Sequence, residues 1–134
     1  MLEKDVIPSV MKYIRDVRRE SCATEVKLAR GASISFSALE EHQERALLLA
    51  NTKAIYHKIG DGSGQQTPFD AFCLVGTPAY VAIVWARYKK HLTLIPIKKW
   101  IKEKEASTRK SITFERAKEL SPPFSSPHIP EAVK

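Results

Sequence analysis

The sequence predicts a mixed α/β (α+β) fold, with a central sheet of about five strands flanked by helices. Three observations predict it. The chain has 134 residues, 43% of them apolar, which suits one domain with a real core. Apolar spacing switches between the helical period and strict alternation. The segments run helix, strand, helix, several strands, helix, the order of a sheet with helices packed on it.

Residues 3–20 read as a helix, because Val6, Val10, Ile14 and Val17 build one apolar stripe. Pro8 fits only near a first turn, so the helix is expected to start there. Residues 22–28 read as a strand, with Thr24, Val26 and Leu28 on one face and Ala23, Glu25 and Lys27 on the other. Gly31 and the serines up to Ser35 read as a loop. Residues 38–51 read as a second helix, opened by a Ser37–Glu40 capping box, with Leu39, Ala46, Leu47 and Ala50 buried.

Ala54–Ile59 reads as a strand, and 60–68 as a flexible Gly-rich turn in which Asp61 is a turn residue. Phe69–Val75 and Ala79–Trp85 read as a hairpin around Gly76-Thr77-Pro78. Leu92–Ile97 is a further strand, with Pro96 placing its end at an edge. A basic helix over about 98–105 and a last helix over about 114–120, capped by Thr113, complete the series. Residues 1–120 form the expected domain, and 121–134 a Pro-rich flexible tail.

Composition narrows function. No apolar run approaches the ~20 residues of a membrane helix. The N-terminus carries Glu3, Lys4 and Asp5 with no apolar stretch behind them, unlike a secretory signal. Cys22 and Cys73 lack disulfide-framework or zinc-site spacing and read as reduced, core or half-buried thiols. These features fit a cytoplasmic protein of a bacterium or phage with no membrane partner.

The net charge of +7 is localised. Residues 1–85 hold ten Lys and Arg against ten Asp and Glu, whereas residues 86–134 hold twelve against five. Arg87, Lys89, Lys90, Lys98, Lys99, Arg109 and Lys110 therefore suggest a polyanion-binding surface; the alternative is a solvated basic face.

Glu25 and Lys27 project from one strand face, about 6.6 Å apart along it. A carboxylate can hold a divalent cation, and an adjacent ammonium can steady a phosphoryl oxygen or an attacking water. The alternative is a surface ion pair. Asp70 sits among apolar strand residues, where it must cap, pair or bind. His42 and Gln43 are adjacent on a helix and so have different tasks. His57 and His91 lack metal-site spacing and read as exposed or core histidines. Arg109, Lys110 and Ser111, before a helix N-terminus, could hold a phosphate; the alternative is a basic linker with a good cap.

The series Glu25-x-Lys27, Ser35-Phe36, His42-Gln43 and Arg109-Lys110-Ser111-Ile112 resembles Holliday-junction resolvases of the RecU type. These belong to the PD-(D/E)xK, or restriction-endonuclease-like, nuclease superfamily. The resemblance covers roughly residues 22–115, with gaps and short motifs. It implies a restriction-endonuclease-like central sheet and cleavage of DNA phosphodiesters dependent on Mg²⁺ or Mn²⁺. It also implies a homodimer, since a four-way junction needs two matched cuts.

By this resemblance Asp70 and Glu25 would hold the metal, Lys27 would orient the nucleophile, and Gln43 would position water or a phosphate oxygen. Arg87, Lys89, Lys90, Lys98, Lys99, Arg109, Lys110 and Ser111 would grip DNA. One feature departs from the pattern: the family's Asp precedes its Glu-x-Lys strand, whereas Asp70 follows it. Either the Asp-bearing strand has moved in chain order, or residues 79–85 occupy the Glu-x-Lys place without acid or lysine. In the second case the protein would bind nucleic acid without cutting it. A third reading is a protein–protein adaptor with Trp85, Tyr88 and Trp100 at its interface.

Overall fold

The computed structural model describes residues 1–58 and 70–122. The turn expected over 60–68, with Asp61, and the tail beyond 122 lie outside the described residues. Two apolar layers on a small sheet organise the rest.

Helix α1 (Glu3–Tyr13) continues as one π turn, Ile14–Arg18, and stops where Arg19 takes a left-handed conformation with φ 52°. Pro8 lies inside α1 rather than at its start. Strand β1 (Ala23–Ala29) follows, then a short β2 (Ser33–Ser35) and a 3-10 turn, Phe36–Ala38. Helix α2 (Glu41–Thr52) leads into β3 (Ala54–Lys58) and β4 (Ala71–Val75). Next come β5 (Ala79–Trp85), β6 (His91–Pro96) and α3 (Ile97–Ala106). Strand β7 (Ser111–Thr113) and α4 (Phe114–Leu120) complete the described chain.

The strands do not form one five-stranded sheet. They form a three-stranded sheet in the order β1-β5-β6 and two separate ladders, β2-β7 and β3-β4. Strand β5 is central, parallel to β1 and antiparallel to β6. All seven of its residues are buried, because its even and odd side chains enter two different cores. On one face Tyr80, Ala82 and Val84 meet Val26 and Leu28 of β1 and Val6, Val10 and Tyr13 of α1. On the other, Val81, Ile83 and Trp85 meet Leu47 of α2, Trp100 of α3 and Ala117 of α4.

The expected β4–β5 hairpin is not formed. Gly76, at φ +58°, donates to the Lys53 carbonyl, and Thr77 donates to that of Ala50. The connection is thereby tied to the end of α2, β4 pairs back on β3, and β5 enters the main sheet. Part of the expected Ser-rich loop is strand β2, paired with β7. The cap of α2 also lies three residues beyond the expected one: the Glu40 amide donates to Gln43 Oε1 at 3.0 Å, while Ser35 Oγ accepts from Ser37 N and caps the preceding turn. Thr113 caps α4 as expected, accepting from Arg116 N. Cys22 is half-buried as expected, but Cys73 is exposed. Among the described residues, no helix is long and apolar enough to cross a membrane.

Candidate active site

The site begins with the alternation of β1. Its even side chains close the α1-side core, so Glu25 and Lys27 must face α2. Lys27 does not lie on an open surface: it is only 7% exposed. Its ammonium stands 3.6 Å from Glu25 Oε1 and 3.9 Å from Glu3 Oε1. Neither approach is a hydrogen bond, so among the described residues the donors of Lys27 remain available to a third group.

The same oxygen of Glu25 is held by Gln43. Gln43 Nε2 donates to Glu25 Oε1 at 2.8 Å while its Oε1 accepts from Glu40 N. One side chain therefore both caps α2 and docks the helix start on the carboxylate. Glu25 Oε2 has no hydrogen bond among the described residues. The carboxylate stands at one end of a cleft of about 390 Å³ between β1, α2 and the β3–β4 ladder. The opposite part is apolar, lined by Ala46, Leu47, Ile55 and Leu74. His42 lines the same cleft, exposed, with Nδ1 3.3 Å from Glu40 Oε2, so the adjacent His42 and Gln43 do different things.

Glu3 was not legible as a site residue. From the first turn of α1 it reaches the free edge of β1, where its Oε2 accepts from Leu28 N at 3.4 Å. In sequence it is one of several charges near the N-terminus. Only the packing of α1 along β1 gives it a role.

Asp70 is exposed, one residue before β4, at the Lys58–Ala71 end of the β3–β4 ladder. It does not line the Glu25 cleft, and no hydrogen bond or ion pair among the described residues joins it to Glu25 or Lys27. Beside it, His57 packs on Phe72, ring centroids 5.3 Å apart. His91 packs edge-on against Phe114.

The basic residues do not form one strip. Arg87, Lys89 and Lys90 occupy the β5–β6 connection, at the end of the sheet where Trp85 pairs with His91. Lys98 and Lys99 begin α3 at the other end, beyond the Tyr80–Pro96 pair, roughly 17 Å away along β6. Arg109 and Lys110 sit beside β2, where Phe36 N donates to the Lys110 carbonyl. Ser111 lies on β7, next to a cleft where Glu103 already holds Arg116. Trp85 and Trp100 are 0% and 1% exposed and belong to the core, so they are not interface anchors; Tyr88 stacks on Phe114 at 3.9 Å.

The donor set can be tested against a divalent cation. Among the described residues, no three His, Cys, Asp or Glu side chains cluster closely enough to hold a metal ion. Mg²⁺ does not require such a cage, since it commonly keeps several waters and takes one or two carboxylates plus substrate phosphates. Glu25 Oε2 fits that use as a single protein ligand, with the others supplied by substrate, water or a second carboxylate. No known protein family matches the chain, and neither a curated protein nor a solved structure matches it.

Proposed function

We propose that this chain is a metal-dependent DNA endonuclease of the PD-(D/E)xK type, structure-specific in the manner of RecU-like Holliday-junction resolvases. The observation that carries the reading is the buried Lys27 beside Glu25, with Gln43 fixed on the same carboxylate. A buried ammonium costs several kcal/mol of desolvation, so a merely structural lysine would be expected to leave the face of β1 for solvent. Here it stays on that face, beside a carboxylate that lines the cleft.

Each side chain then has a task. Glu25 Oε2 would hold Mg²⁺ or Mn²⁺, which when bound supplies charge neutralisation at the phosphate and a more acidic water. Lys27 orients the nucleophile and stabilises charge developing on the phosphoryl oxygens. Gln43 keeps Glu25 in one rotamer. Asp70, one residue before β4, is the candidate second carboxylate. DNA, branched DNA included, is the proposed partner, and a homodimer is the proposed assembly.

A second reading is a nucleic-acid-binding module without cleavage. It is favoured by one observation: Asp70 does not line the Glu25 cleft. The experiment that separates the two incubates labelled four-way junction, duplex and single-stranded DNA with Mg²⁺ or Mn²⁺, beside Glu25→Ala. Metal-dependent cutting that the variant loses supports the nuclease. Salt-sensitive band shifts without cutting support the binding module, and neither cutting nor shifting overturns both.

A further inference from the structure

A second cleft lies to another side of the α2 N-terminus from Glu25. It has a volume of about 380 Å³ and is lined by Ser35, Ser37, Lys104, Thr108, Arg109 and Lys110. Phe36 and Ser107 complete the lining. Three cations and four hydroxyls converge there, and no carboxylate among the described residues lines it. Lys104 is paired with Glu44 at 3.1 Å. The exposed side chains of Arg109 and Lys110 have no ion pair among the described residues.

The walls are fixed by the backbone. Phe36 N donates to the Lys110 carbonyl at 2.9 Å, and Ser35 pairs with Ser111 across the β2–β7 ladder. Arg109 N donates to Ser107 Oγ at 3.0 Å, and Ser35 and Ser37 share a hydroxyl hydrogen bond of 2.7 Å. Beneath them Phe36 packs edge-on against the buried Trp100. The two cations are thus carried by a braced turn between α3 and β7, not by a loose linker. Arg and Lys with Ser and Thr hydroxyls are the groups that hold phosphate oxygens, and the Arg fork does so with two parallel bonds.

The position relates this cleft to the first one. Glu44 faces Lys104 here, while its neighbour Gln43 faces Glu25. Adjacent helix residues point about 100° apart, so the two clefts open on different sides of the α2 start.

We propose that the Ser35–Ser37–Lys104–Arg109–Lys110 cleft is a discrete subsite for one backbone phosphate of a bound nucleic acid. The inference rests on the nucleic-acid reading above, but not on cleavage. A single phosphate shared by two cations has a particular signature. Loss of both cations removes one counterion-release event, not two, so the salt slope changes by about one.

The test measures affinity of the full chain for labelled duplex and junction DNA across a salt series, with wild type, Arg109→Gln/Lys110→Gln and Ser37→Ala. Wild-type melting behaviour is the check on folding. The expected result is a slope smaller by about one for the double variant. Ser37→Ala should weaken binding roughly two- to tenfold at an unchanged slope, because it removes a hydrogen bond and no charge. A slope change near two, or an unaffected Ser37→Ala, would show a diffuse basic surface and overturn the subsite while leaving the nuclease reading intact. Should the double variant fail to fold, Ser37→Ala decides alone. Absence of any salt-sensitive binding by wild type would overturn the subsite together with the reading beneath it. An arm with inorganic phosphate as competitor separates a free-anion site, relieved at low millimolar phosphate in wild type and Ser37→Ala differently, from a site that needs the polymer.

Discussion

The two faces of β1 differ in what they bury. Val26 and Leu28 point into the α1-side core, at 6% and 7% exposure, packed with Val6, Val10 and Tyr13. Glu25 and Lys27 point to the other side, where Lys27 is equally buried at 7%. Burial is the same and its meaning is opposite. An apolar side chain gains from leaving water, whereas an ammonium loses hydration and needs partners. The face that holds charges at a comparable depth is the face where a site is expected, and the α1 side is the one that keeps the strand in place.

The comparison can be broken from its apolar side first. Leu28→Ala should cost about 2–5 kcal/mol, read as a lower denaturant midpoint, with DNA affinity per folded molecule unchanged. A loss below 1 kcal/mol would mean that the α1-side core does not hold β1. On the charged side, Gln43→Glu keeps an acceptor for Glu40 N but sets a second carboxylate against Glu25 Oε1. Helix stability should hold while cleavage falls roughly ten- to a hundredfold. A parallel fall in melting temperature would make Gln43 a structural residue only.

How far this was legible in the sequence follows the range of each interaction. Glu25 and Lys27 share a face because alternation along a strand is local, and Gln43 meets them because the next helix packs on that face. Thr113 as a cap and Pro96 at the end of edge strand β6 are likewise decided within a few residues. The sheet was not legible. Phe69–Val75 reads as a partner for Ala79–Trp85, yet the hydrogen bonds of Gly76 and Thr77 to α2 send β4 elsewhere. Strands β2 and β7 have three residues each, too few for an alternating pattern. The basic run from Arg87 to Lys110 is continuous in sequence, but β6 and α3 carry its members to different ends of the sheet.

A smaller effect tests the closure of the apolar face. Tyr80 donates to Glu20 Oε1 at 2.7 Å, and Arg18 holds the other oxygen of Glu20. Burial, then the carboxylate of Glu20, pushes the Tyr80 hydroxyl up to about 12. The folded value lies above the unfolded one near 10, so this contribution to stability is complete below pH 10 and fades as pH rises towards 12. Tyr80→Phe should flatten the loss of melting temperature over that window; an unchanged alkaline profile would remove Tyr80 from it.

The smallest expected effect concerns the basic turn. Lys89 and Lys90 both have positive φ, 57° and 58°, a conformation that disfavours a Cβ. Lys90→Gly should raise stability by about 1 kcal/mol in denaturant titration. If the turn also meets DNA, the same variant lowers the salt slope of binding. No gain in stability would mean that other contacts of this turn offset the backbone strain.

The most direct measurement is made on Lys27→Met, which keeps the volume of the side chain and removes its charge. Cleavage of labelled junction and duplex DNA in Mg²⁺ is followed beside binding and thermal melting. Stability should change by less than about 1.5 kcal/mol, and binding should persist. The cleavage rate should fall by about 10²–10³-fold, as for loss of one group that stabilises charge in the transition state. Wild-type cleavage by a folded Lys27→Met protein would contradict the account, because the buried ammonium beside Glu25 would then have no part in the chemistry.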